Sequence, residues 1–106
     1  MNDEGLLATQ VTHLDGVAVL ALRGEIDAFS APHLRESVQR ACELGVPVVL
    51  DMALVTFIDS SGITALLSAS GVANGVPSKV QIQRPSNEVR RVLSIAGLDK
   101  VFRLEP

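Results

Sequence analysis

The sequence predicts an α/β domain: a single-layer, mostly parallel sheet with an antiparallel N-terminal strand, packed by helices. Three observations lead there. Asp15-Gly16 sits between two strand-like segments, a strong hairpin signal because such a turn needs positive φ. Further short apolar runs follow, and they alternate with stretches whose apolar residues recur at helical spacing. Strands that alternate with helices imply parallel pairing through right-handed crossovers.

The elements follow in order. The first strand is expected over Leu6 to His13, the turn at Leu14-Asp15-Gly16 and the second strand over Val17 to Leu22. Val17-Ala18-Val19-Leu20-Ala21-Leu22 hardly alternates, so cover on both faces is expected. Arg23 to Phe29 reads as a loop. Ser30 then N-caps a helix that tolerates Pro32 in its first turn, with a stripe of Leu34, Val38, Ala41 and Cys42, ending near Leu44-Gly45. Val46 to Asp51 is a third strand and Met52 to Ile58 a loop. A helix from about Ser60 to Ala73 carries the stripe Ile63, Leu66, Leu67 and Ser70 and stops at Asn74-Gly75. Lys79 to Gln83 alternates as a strand. Pro85-Ser86 opens a third helix with Val89, Val92, Leu93 and Ala96 inward, Glu88 in its first turn and Gly97 at its end. Val101 to Leu104 is a possible last edge strand. No repeat, linker or low-complexity stretch divides the chain, so residues 1–106 are expected to form one domain.

Composition narrows the function classes. Three Phe and no Trp or Tyr leave a core of Val, Leu, Ile and Ala, and supply few of the stacking platforms that single-stranded nucleic acid needs. Net charge is −3, and Arg90-Arg91 is the only adjacent basic pair, which disfavours nucleic-acid backbones and anionic membranes. No apolar run approaches the roughly 20 residues of a membrane span. Met1-Asn2-Asp3-Glu4 is acidic, unlike the start of a signal peptide. The lone Cys42 has no internal disulfide partner and reads as a packed core thiol; no metal-ligand spacing is present. A cytoplasmic location without cofactor is the expectation.

The informative stretch is Val48-Val49-Leu50-Asp51, then seven residues, then Asp59-Ser60-Ser61-Gly62 at a helix start. A helix N-terminus leaves about four N–H groups unpartnered and carries partial positive charge, so polar oxygens or a phosphate belong there. Asp59, Ser60 and Ser61 can each cap, and one is enough. Residue chemistry alone therefore favours a redundant cap followed by a glycine for close packing. Asp51 with Glu25 and Asp27 has the outline of an aspartyl-phosphate receiver, but Lys79 begins its strand where a receiver wants a lysine at a strand's end. His13 and His33 stand apart, so a hydrolytic triad lacks support. Gly71 and Gly75 lie too far from a strand end for a phosphate-binding loop.

Three stretches resemble the STAS-domain proteins of the anti-sigma factor antagonist type: Leu22-Arg23-Gly24-Glu25-Ile26-Asp27, Val48-Val49-Leu50-Asp51 and Phe57-Ile58-Asp59-Ser60-Ser61-Gly62-Ile63. Ala96-Gly97-Leu98 and Val101-Phe102 fit the family's ending, and the likeness runs along essentially the whole chain. The resemblance implies that Ser60 is phosphorylated by an anti-sigma factor with serine-kinase activity that uses ATP. It further implies that only the unphosphorylated form binds that partner and frees the sigma factor. Asp27 lies, by the same resemblance, beside the phosphorylation site, and the implied partner-binding residues are Asp27, Asp59, Ser60, Ser61 and Gly62. A serine phosphatase is a candidate second partner. A monomer that enters hetero-complexes, with no catalytic residues of its own, is expected. The competing readings are a STAS-like accessory subunit of a transport or membrane-lipid system, not phosphorylated, and a receiver acting through Asp51 and a divalent metal. Ser60 is preferred over Ser61 on the resemblance alone.

Overall fold

The computed structural model describes residues 7–71 and 80–102. Its elements are β1 (Ala8–Leu14), β2 (Val17–Ile26), α1 (Ala31–Glu43), β3 (Val48–Ile58), α2 (Ser60–Ser70), β4 (Val80–Gln83) and α3 (Asn87–Ile95). The described strands form one sheet in the order β1-β2-β3-β4, with β1 antiparallel to β2 and both later pairs parallel. This is the expected mixed sheet with helices. Asp15 (φ 53°) and Gly16 (φ 77°) make the expected hairpin turn, with positive φ at both central residues.

One face of the sheet carries the core. Ala18, Leu20, Leu22 and Ile26 of β2 and Val48, Leu50, Met52, Val55 and Ile58 of β3 are buried together with Leu34 and Val38 of α1, Leu66 of α2, and Val89 and Leu93 of α3. The other face is only partly covered, since Val17 and Val19 are half-buried and Ala21 is exposed. The expectation that β2 is covered on both faces is therefore corrected. Small apolar side chains fill both sides of this strand, so composition could not reveal which face is buried.

β2 and β3 run further than expected. Arg23 to Ile26 continue β2, and the expected loop Met52 to Ile58 is strand throughout. Along β3 the buried positions step by two as far as Met52 and then by three to Val55 and Ile58. The register against β2 shifts at these same places, which marks two bulges with one extra residue each in β3. A bulge breaks the period-2 pattern that signals a strand. The third strand begins at Val48, two residues later than expected.

The helices show smaller differences. α2 ends at Ser70 and is capped by Gly71 at φ 90°, before the expected stop; Asn74-Gly75 and Lys79 lie outside the described residues. Its buried side is Gly62, Ala65, Leu66, Ala69 and Ser70, while Ile63 and Leu67 are half-buried. Two directions of packing, onto the sheet and onto α1, widen the stripe. In α3, Ser86 caps through its hydroxyl, which accepts from the Val89 N–H at 3.2 Å, but Ala96 is exposed. Val101 and Phe102 lie in a turn; the Phe102 carbonyl accepts one hydrogen bond from the Ile82 N–H at 3.0 Å. Leu104 lies outside the described residues. Among the described residues no helix is long and apolar enough to cross a membrane.

Candidate functional site

The site forms where β2 and β3 end side by side. Ile26 pairs with Ile58 across these parallel strands, and the Ile26 carbonyl accepts from the Asp59 N–H at 3.2 Å. The chain segments that begin at Asp27 and Asp59 therefore leave the same edge of the sheet as neighbours and lead into α1 and α2.

Asp59 is the cap of α2. Its backbone is extended (φ −120°, ψ −171°), and its Oδ1 accepts from the Ser61 N–H at 2.9 Å and the Gly62 N–H at 3.4 Å. These are the second and third N–H groups of the helix, the usual partners of a capping carboxylate. One residue does the capping. The hydroxyls of Ser60 and Ser61 make no hydrogen bond to other described residues. Ser60 is exposed and Ser61 half-buried. Gly62 is buried because α2 starts almost in contact with the sheet: a Cβ there would lie 2.5 Å from Ile26 Cγ2 and 2.9 Å from Ile58 Cγ1.

Asp27 organises the neighbouring turn. Its Oδ1 accepts from the N–H groups of Phe29 and Ser30, each at 3.0 Å. The Ser30 N–H, opposed by some desolvation and helped by the Ser30 hydroxyl and the Phe29 N–H, holds the Asp27 carboxyl below its ordinary value. Ser30 was expected to cap α1 with its side chain and does not. Its hydroxyl donates to the Glu25 carbonyl at 2.9 Å and accepts from the Asp27 N–H at 3.0 Å, tying the turn back to β2. The Asp27 carboxylate instead takes the N–H groups of Phe29 and Ser30, just before the helix. Phe29, at the tip of this turn, is 79% exposed.

Two grooves meet at Ser60. One, of about 370 Å³, lies between the starts of α1 and α2 and is lined by Pro32, Arg35, Ser60, Ser61 and Thr64 among others. The other, of about 310 Å³, lies between α2 and α3 and is largely apolar, with Ser60, Ile63, Thr64, Val92, Ile95 and Ala96 around it. Ser60 borders both; Ser61 borders only the first. Sequence reasoning missed Arg35, Thr64 and Ile95. Thr64 is one helical turn beyond Ser60, a spacing that could have found it. Arg35 and Ile95 come from other helices, so nothing local connects them to Ser60.

Asp51 is elsewhere. It lies mid-strand in β3, where Oδ1 accepts from the Ala53 N–H at 3.2 Å and Oδ2 accepts from the Arg84 guanidinium. A carboxylate held by an arginine at mid-strand is poorly placed as a phosphoryl acceptor. Among the described residues no three His, Cys, Asp or Glu side chains cluster as a metal site would require. His13 and His33 are exposed, and His33 Nε2 lies 3.3 Å from Thr9 Oγ1. Cys42 is half-buried against the core.

Over most of its length the chain is similar to known proteins. RsfB, an anti-sigma-F factor antagonist of Mycobacterium tuberculosis, is 32% identical over 102 residues, covering 95% of this chain and 82% of that protein. The crystal structure of an anti-sigma factor antagonist from Mycobacterium paratuberculosis superposes with a TM-score of 0.80 at 29% identity, over 94% of this chain and 86% of that one. The fold is also that of the Bacillus protein SpoIIAA, solved in its phosphorylated form (TM-score 0.65, 24% identity, 93% of this chain and 92% of that one). The family model described as the STAS domain matches residues 8–106, which span the hairpin, the bulged strand β3 and the Asp59 cap. By this match over nearly its whole length, the chain belongs to the STAS-domain family.

Proposed function

We propose that this chain is an anti-sigma factor antagonist, acting in the cytoplasm by binding rather than catalysis, and that phosphate on Ser60 switches the binding off. The partner is an anti-sigma factor that also carries the serine-kinase activity. The observation that carries the reading is the placement of Ser60: exposed, at the first position of α2, not needed as the cap, and bordering two grooves. The names of the relatives, RsfB among them, support the antagonist role. The existence of a phosphorylated form of SpoIIAA supports the switch.

The physics favours a change at the surface with little change in the fold. Phosphorylation adds about −1.5 to −2 charge and three acceptor oxygens. A helix N-terminus tolerates that charge, while the carboxylates of Asp59 and Asp27 nearby oppose it. The exposed Phe29 and Ile95 (75% exposed) and the apolar groove between α2 and α3 offer contact area to a partner. In this reading Asp27 and Asp59, at the ends of β2 and β3, and Ser61, in the groove between α1 and α2, contribute to recognition. Gly62 contributes from below, by letting α2 approach the sheet.

The test is a pull-down with wild-type and Ser60→Asp protein. The wild type alone should retain an ATP-binding protein that labels it, and Ser60→Ala should not be labelled. Labelling of Ser60→Ala at the wild-type level refutes the assignment. Retention of a membrane transport component by both proteins alike would favour the accessory-subunit reading.

A further inference from the structure

The groove between the starts of α1 and α2 joins a modifiable hydroxyl to a cation on another helix. Arg35 of α1 and Ser60, Ser61 and Thr64 of α2 line it. Arg40 pairs with Glu36, Arg84 with Asp51 and Arg91 with Glu88, whereas Arg35 has no ion-pair partner among the described residues. Its neighbour on α1, Glu36, is taken by Arg40. The carboxylates nearest in the chain to this groove are also engaged: Asp27 with the N–H groups of Phe29 and Ser30, Asp59 with those of Ser61 and Gly62. The groove's volume of about 370 Å³ leaves room for a phosphoryl group.

We infer that Arg35 is the intramolecular binding residue for the phosphoryl group on Ser60, drawing it across this groove, where the Thr64 hydroxyl is available as a second donor. The inference rests on the reading of Ser60 as the phosphorylated residue. Guanidinium pairs with phosphate through charge-assisted, often bidentate hydrogen bonds, which an ammonium does not reproduce. The consequence is that phosphorylation changes shape as well as charge: the phosphoryl group occupies part of one of the two grooves that border Ser60. Arg35 is a positioning residue for the modified serine and reacts with nothing itself.

The experiment separates this inference from the reading beneath it by placing phosphoserine at position 60 during synthesis, with no kinase involved. The second ionisation of the phosphate is then followed by ³¹P NMR in otherwise wild-type protein and in the Arg35→Gln, Arg35→Lys and Arg40→Gln backgrounds. An adjacent positive charge favours the dianion. Arg35→Gln should therefore raise the phosphate's second pKa by about half a unit, the size expected for one charge within about 5 Å in water. Arg35→Lys should restore part of the difference, and Arg40→Gln should leave the value unchanged. A pKa that is the same, within a tenth of a unit, with and without Arg35 overturns the inference. So does an equal shift from Arg40→Gln, which would show only the general charge of α1. A kinase that labels Ser61 or nothing sinks the reading of Ser60 and leaves this titration readable.

Discussion

Gly62→Ala puts a methyl carbon 2.5 Å from Ile26 Cγ2 and 2.9 Å from Ile58 Cγ1, both well inside van der Waals contact. Neither neighbour can yield easily. Ile26 is fully buried and Ile58 is 2% exposed, each on a strand whose register is held by its partner. Ile26 Cγ2 moves only if χ1 or the strand moves, because it sits on the branched Cβ. Overpacking of this kind costs about 1–3 kcal/mol, and alanine in a helix returns up to about 1 kcal/mol relative to glycine. The net expectation is a loss of about 1–2 kcal/mol, or roughly 5–10 °C in Tm for a domain of this size. Urea and thermal denaturation followed by circular dichroism measure it. The cause is tested by a cycle with Ile26→Ala, which alone costs about 2–5 kcal/mol by opening a cavity. In that background the closest obstruction is gone and only Ile58 Cγ1 at 2.9 Å remains, so Gly62→Ala should cost clearly less than in the wild type. A Gly62→Ala protein at least as stable as wild type, or the same loss in both backgrounds, would refute the claim that the glycine sets how closely α2 starts against the sheet.

Three further outcomes follow from the same geometry. Asp59→Ala should lose about 1 kcal/mol in urea denaturation by removing the cap, whereas Ser60→Ala should lose almost nothing. The Asp27 carboxyl, followed by ¹³C NMR, should titrate below its ordinary value of 3.8 because N–H donors favour its charged form. A carboxyl with a depressed folded pKa contributes stability above its unfolded pKa, and that contribution is lost as pH falls through the folded value. Asp27→Asn should remove this component of the acid limb, seen as a flatter stability profile below about pH 4. Arg84 adopts positive φ (49°) and pairs with Asp51, whose hydrogen bond and, after it, charge raise the arginine's pKa. Arg84→Gly and Arg84→Ala both lose the pair, but only glycine suits the backbone, so Arg84→Gly should be the more stable of the two by about 1 kcal/mol.

The sequence showed the element order and the hairpin because those signals are local: Asp15-Gly16 demands its turn, and the helix stripes keep a 3.6-residue period. It hid the second halves of β2 and β3 for two different reasons. In β2 the alternation persists through Leu22, Gly24 and Ile26, but Gly24 has no side chain to show it, and Arg23 and Glu25 flank it with charge. In β3 the bulges replace period two with period three, so Val55 and Ile58 look unpatterned. At the site, the capping chemistry of Asp59-Ser60-Ser61 was legible, though which of the three caps was not. Three competent side chains are equivalent until backbone angles assign the role to Asp59. The meeting of the Asp27 and Asp59 segments depends on parallel pairing of Ile26 with Ile58, a contact between strands 32 residues apart along the chain. Ser30 misled because a serine before Ala31-Pro32 has the form of a cap, yet its hydroxyl turns back to the Glu25 carbonyl.

The central claim is that one hydroxyl, on Ser60, controls binding without altering the fold. The direct measurement is the affinity of the purified anti-sigma kinase for this protein before and after phosphorylation, with the phosphate mapped by mass spectrometry and Tm recorded for both forms. The account predicts phosphate on Ser60 and none on Ser61, a loss of affinity of at least tenfold, which takes only about 1.4 kcal/mol, and a Tm that moves by no more than about two degrees, as for a surface change. Phosphate on Ser61, or a phosphorylated protein that binds as tightly as the unmodified one, would contradict it.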